Sequence, residues 1–71
     1  MKLNYTNRTR PNGTHELSPT DWTDAAMLKH VAPIERNFTP GAYTWVSKEE
    51  YIQIRFMAKA HGWEPVEISA Y

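Results

Sequence analysis

Residues 47–62 of this 71-residue chain constrain its fold more than any other stretch, because both ends of a helix are written there. Ser47-Lys48-Glu49-Glu50 is a capping box. The Ser hydroxyl at the N-cap accepts an orphan amide, and the Glu at N3 can reach back to the N-cap amide. Val46 and Tyr51 have the spacing of a hydrophobic staple. Gly62 follows His61 and supplies the left-handed residue that closes many helices. Trp63 is then placed to fold back on Met57 or Ala58. The expected helix covers residues 48–61, a rod roughly 20 Å long.

This helix carries two apolar stripes. Tyr51, Ile54, Met57, Ala58 and His61 share one side. Ile52, Phe56 and Ala60 share another, with Lys48, Arg55 and Lys59 as a basic ridge between them. A surface helix of a small domain normally buries one stripe and turns a polar back to water. Two stripes need two covers. Either the helix is central and loops lie over its back, or Ile52 and Phe56, flanked by Arg55 and Lys59, face a protein partner or a second copy. An aromatic anchor beside Arg is the make-up of interface hot spots. The candidate partner-binding residues are therefore Ile52, Arg55, Phe56 and Lys59.

An earlier helix is expected to start at Ser18-Pro19-Thr20-Asp21, with a hydroxyl N-cap, Pro at N1 and an acid at N3. Leu17 and Trp22 have staple spacing. Pro33 disfavours helical geometry in the residue before it, so this helix spans about 19–32. Lys29 and His30 fall in its last turn, where positive charge suits the dipole. Trp22, Ala25, Leu28 and Ala32 share one broad face, with Met27 and Val31 roughly opposite.

Strand signals are shorter. Residues 42–46 (AYTWV) are aromatic and β-branched and follow the turn dipeptide Pro40-Gly41. Residues 65–70 (PVEISA) alternate, with Val66, Ile68 and Ala70 on one face and Glu67 and Ser69 on the other. Residues 3–9 alternate less regularly. Pro11-Asn12-Gly13 reads as the turn of a hairpin whose short return strand reaches Leu17. The order is β-α-β-α-β. It implies an α+β or α/β fold, a single domain over 1–71, with a three-stranded sheet packed with two helices. Strand 42–46, helix 48–61 and strand 65–70 suit a parallel βαβ unit, although the tight connections also suit an antiparallel or split arrangement. Residues 1–16 form either a basic hairpin or a flexible arm.

A core this small gets no reinforcement from cysteine, because there is none. Eight Lys+Arg balance eight Asp+Glu, which argues against both a bulk-charge nucleic-acid binder and an acidic DNA mimic. No window approaches the ~18 apolar residues of a membrane helix, and MKLNYTNRTR lacks the apolar run of a signal peptide. A cytoplasmic protein with no membrane contact is expected. The N-x-T triplets at Asn4, Asn7, Asn12 and Asn37 are then turn and strand chemistry, not glycosylation sites.

Catalytic patterns are absent from the sequence. His15, His30 and His61 lie in three segments, none with a His or acid partner at helical metal-ligand spacing. Asp21 and Asp24, like Glu49 and Glu50, sit in first helical turns, where carboxylates suit the dipole. Gly13, Gly41 and Gly62 are isolated, so no phosphate-cradling loop is encoded. The expectation is no enzyme, no metal and no cofactor. Lys2, Arg8 and Arg10 precede the first acid, Glu16, with Tyr5 between them, and are candidate nucleic-acid contacts. Nine aromatic residues, three of them Trp, exceed what so thin a core covers.

In style alone, a compact, neutral, cysteine-free, aromatic-rich chain resembles the small accessory proteins of bacteriophages and mobile elements. That resemblance, with the second stripe, implies a small non-enzymatic protein-binding module: an inhibitor or adaptor that blocks a host machine by surface occlusion. The alternative is a nucleic-acid-binding accessory protein using the basic N-terminal segment and the Arg55/Lys59 ridge. A simple homodimer is the third reading.

Overall fold

Alternation along one inner strand sets the two faces of the sheet. In the computed structural model, which describes residues 1–69, β1 (Lys2–Thr9) buries Leu3, Tyr5 and Asn7 and half-buries the residues between them. The chain turns at Gly13, whose φ of +87° needs glycine, and returns antiparallel as β2 (His15–Pro19). Helix α1 (Trp22–Val31), the short edge strand β3 (Thr44–Val46), helix α2 (Lys48–Ala60) and strand β4 (Glu64–Ser69) complete a small compact α+β domain. The sheet order is β3-β2-β1-β4, with β4 parallel to β1 and the other pairs antiparallel. Neither helix is long and apolar enough to cross a membrane.

The expected three-stranded sheet therefore has four strands, because the return limb of the hairpin pairs on both sides. The expected βαβ unit is split: β3 and β4 stand at opposite edges with the β1–β2 hairpin between them. Residues 2–9 are an inner strand with neighbours on both sides, so the basic N-terminal segment is a hairpin and not an arm.

Helix α1 starts three residues later than its sequence signature. Ser18 and Pro19 pair with Thr6 and Tyr5 in the sheet. Pro19 is tolerated because β3 reaches only as far as Leu17 and asks nothing of its missing N–H. The cap is Asp21, whose carboxylate accepts the Asp24 amide at 2.9 Å. Trp22 is 69% exposed and makes no staple with buried Leu17. The buried face is Asp24, Ala25, Met27, Leu28 and Val31: of the expected face Ala25 and Leu28 are buried and Ala32 packs against the core, while Trp22 is left out and Met27 and Val31, expected opposite, join the core. Asp24 turns inward because its carboxylate accepts the backbone N–H of Asn4 at 3.0 Å. A wheel that assigns every acid to solvent therefore centres the face too far from Met27 and Val31.

Helix α2 matches its signature closely. Ser47 caps the Glu50 amide at 3.0 Å. At the far end Gly62 (φ +78°) donates to the Lys59 carbonyl and Trp63 to the Ala58 carbonyl, each at 2.9 Å, which is a Schellman closure. Glu50, however, does not complete a capping box. Its buried carboxylate takes a two-point bond from Arg36, at 2.8 and 3.0 Å, and anchors the connection after α1.

One apolar cluster joins both helices to Leu3, Tyr5, Leu17 and Val46 on a single sheet face. On β4 the alternation is real but the faces are exchanged. Glu67 stands in register with buried Tyr5 on the helix side, while exposed Ile68 pairs with Thr6 on the open side. Ala70 lies outside the described residues.

Two sets of thermal melts test these assignments. Ser47→Ala should cost about 1 kcal/mol, and Gly62→Val at least as much, since a β-branched residue strains at positive φ. If both are neutral, the α2 boundaries are wrong. Burial raises the Asp24 carboxyl above the usual carboxylate range. Its contribution is therefore fullest below about pH 3.9 and is lost as pH rises through the raised value. Asp24→Ala should cost about 1–3 kcal/mol by orphaning the Asn4 amide. Asp24→Asn keeps an acceptor without the buried charge, and at pH 7 should be at least as stable as the wild type.

Candidate functional site

Helix α2 advances about 100° per residue. With Glu50, Tyr51, Ile54 and Ala58 buried, Phe56 points almost directly away from the core. Phe56 is 71% and Ile52 56% exposed, and Glu49, Lys59 and Ala60 surround them. The strip continues sideways through half-exposed Met57 into an open groove of about 600 Å³ against the end of α1, where Val31 and Pro33 form the opposite wall. The second apolar stripe of α2 is thus left uncovered by the described residues.

Arg55 does not belong to this face. Its Nη1 donates to the Tyr5 hydroxyl at 2.9 Å and reaches the Tyr51 hydroxyl at 3.4 Å, so the guanidinium is drawn inward under the helix. Of the four candidate partner-binding residues, Ile52, Phe56 and Lys59 share the outer face; Arg55 leaves it.

Of the three candidate nucleic-acid contacts, Arg8 and Arg10 come together and Lys2 stands apart. Lys2 opens β1, and Arg8 lies six residues of strand away, roughly 20 Å. Arg8 and Arg10 both lean on one carboxylate, Glu16, at 3.6 and 3.3 Å. Arg8 also lies over the Tyr43 ring, 3.6 Å from its centroid. These contacts spread a modest charge over the open sheet face, beside exposed Trp45.

A polar cluster that the sequence does not announce lies at the other side of α2. The Tyr5 and Tyr51 hydroxyls are 2.9 Å apart, and Tyr51 donates to Glu67 at 2.7 Å. Asn7 donates its amide to the same Glu67 oxygen. The Asn7 carbonyl oxygen then accepts from His15 Nδ1 at 3.0 Å, which places the imidazole proton on that nitrogen. The His15 ring lies 4.2 Å from that of Tyr51. Burial pushes both phenols above their ordinary range, so they stay protonated at neutral pH and are not poised as bases. The cluster fastens β4 and β2 to α2. The one residue that could have pointed to it is Asn7, polar yet in phase with Leu3 and Tyr5 on the side of β1 that the fold buries.

Burial also lowers the pKa of His15, with Lys48 acting in the same direction and Glu67 opposing. The folded state therefore binds this proton less readily than the unfolded chain. Stability should fall as pH drops below about 6.5 and through the depressed value. Melting temperatures at pH 7 and pH 5 should differ more for the wild type than for His15→Gln. Equal drops would show that His15 is not buried neutral.

No protein-family model, curated protein or solved structure matches this chain.

Proposed function

We propose that the chain is a non-enzymatic protein-binding module, of inhibitor or adaptor type, that docks through the outer face of α2. One observation carries this reading: Phe56, the residue most squarely opposed to the core, is 71% exposed at the centre of an apolar strip. Leaving such a ring in water forgoes roughly 1.5–3 kcal/mol of burial, and contiguous apolar surface of this kind marks interaction sites. The adjoining groove offers a second wall for an inserted side chain. Such a module covers a partner surface and so denies it to others. The lack of cysteine suits action in the reducing cytoplasm.

Phe56→Ala separates the two uses of the ring. For a docking residue, the melting temperature should shift by no more than about 2 °C. A protein captured in stoichiometric amount from nuclease-treated bacterial lysate should be lost, with a binding penalty of roughly 2 kcal/mol. A destabilisation of about 3–5 kcal/mol would identify Phe56 as core. Undiminished capture would remove the α2 face from the reading.

A further inference from the structure

We infer that the occupant of this face is a second copy of the chain, its α2 packed antiparallel on the first about a two-fold axis level with Ile54. The inference rests on the docking reading above for its face: in the free protein a second copy covers that face, and the captured protein displaces it. Its basis is the self-complementarity of the outer face. Turned end for end about residue 54, the helix brings Ile52 of one copy against Phe56 of the other, and does so twice. The same operation sets Glu49 opposite Lys59, again twice. Glu49 and Lys59 are exposed residues of α2 and flank the apolar pair at its two ends. The other outward positions raise no conflict: Lys48 meets Ala60, Gln53 meets Arg55, whose guanidinium is engaged with Tyr5, and half-exposed Met57, level with buried Tyr51, stays beside the groove. A parallel pairing would instead set Glu49 against Glu49 and Lys59 against Lys59. Antiparallel packing also opposes the two helix dipoles. A contact of this kind is isologous and closes as a dimer, leaving no surface to propagate.

Size bounds the contact without fixing its affinity. A standard interface takes about 800 Å² from each partner, roughly a fifth of the 4359 Å² this chain exposes. A single helix face is a small contact by that measure, and a weak dimer, with a dissociation constant on the order of 10 µM, is expected.

Sedimentation equilibrium at low salt provides the test. The wild type should be dimeric at about 300 µM, well above that dissociation constant. Phe56→Asp should be monomeric with its helical signal intact. Glu49→Lys and Lys59→Glu alone should each weaken dimerisation about tenfold, because each turns two attractive contacts repulsive. An equimolar mixture of these two variants restores opposite charges at both contacts and should recover the wild-type constant. A monomeric wild type at that concentration overturns the inference, as does a mixture no tighter than its separate components. If the wild type is monomeric while lysate capture still depends on Phe56, the second copy alone is wrong. If capture is also indifferent to Phe56, the docking reading falls with it.

Discussion

Two phenolic hydroxyls, those of Tyr5 and Tyr51, lie 2.9 Å apart and decide how the domain is assembled. Tyr5 belongs to an inner strand and Tyr51 to the first half of α2. Because Tyr51 must also reach Glu67 on β4, and Arg55 must reach Tyr5, the rotation of α2 about its own axis has little freedom. That setting turns Ile54 and Ala58 into the core and forces Phe56 outward. The exposed face is thus a consequence of a buried polar cluster on the other side of the helix. An apolar contact alone would have tolerated a small rotation; hydrogen bonds, which weaken steeply with angle, do not.

What could be read from the sequence follows how local the physics is. The caps of α2 are chemistry between residues a few positions apart, and Ser47, Gly62 and Trp63 behave as their types dictate. Ser18-Pro19 fits a helix start equally well, yet pairing with β1 claims it, a competition settled some thirteen residues away in the chain. The alternation of β4 was legible too. Its facing was not, since Glu67 turns inward only because Tyr51 and Asn7 wait there as donors.

The candidate site divides in the same way. Helical periodicity revealed two stripes on α2, but periodicity carries no information on which stripe is covered. Exposure of Ile52 and Phe56 required the fold. Arg55 sits between the stripes in sequence and could have served either; two tyrosine hydroxyls, one from fifty residues upstream, drew it inward. Formal neutrality likewise concealed pairing, with Arg36 committed to Glu50 and Arg8 and Arg10 sharing Glu16. The charges available to a partner are therefore fewer than composition suggests.

The parallel pairing of β1 with β4 has a consequence for how the molecule comes into being. Lys2 finds its neighbour at Glu64, and Asn7 at Ser69, about sixty residues downstream. During synthesis β1 can close on β2 early, but its second edge stays open until α2 and β4 have left the ribosome. Contacts of such sequence separation delay the productive step. Until then the Tyr5 hydroxyl and the Asn7 amide lack their partners on α2 and β4, and a nascent or prematurely terminated chain presents a raw strand edge to proteases and chaperones. The sheet therefore closes on its inner strand only once β4 has been made.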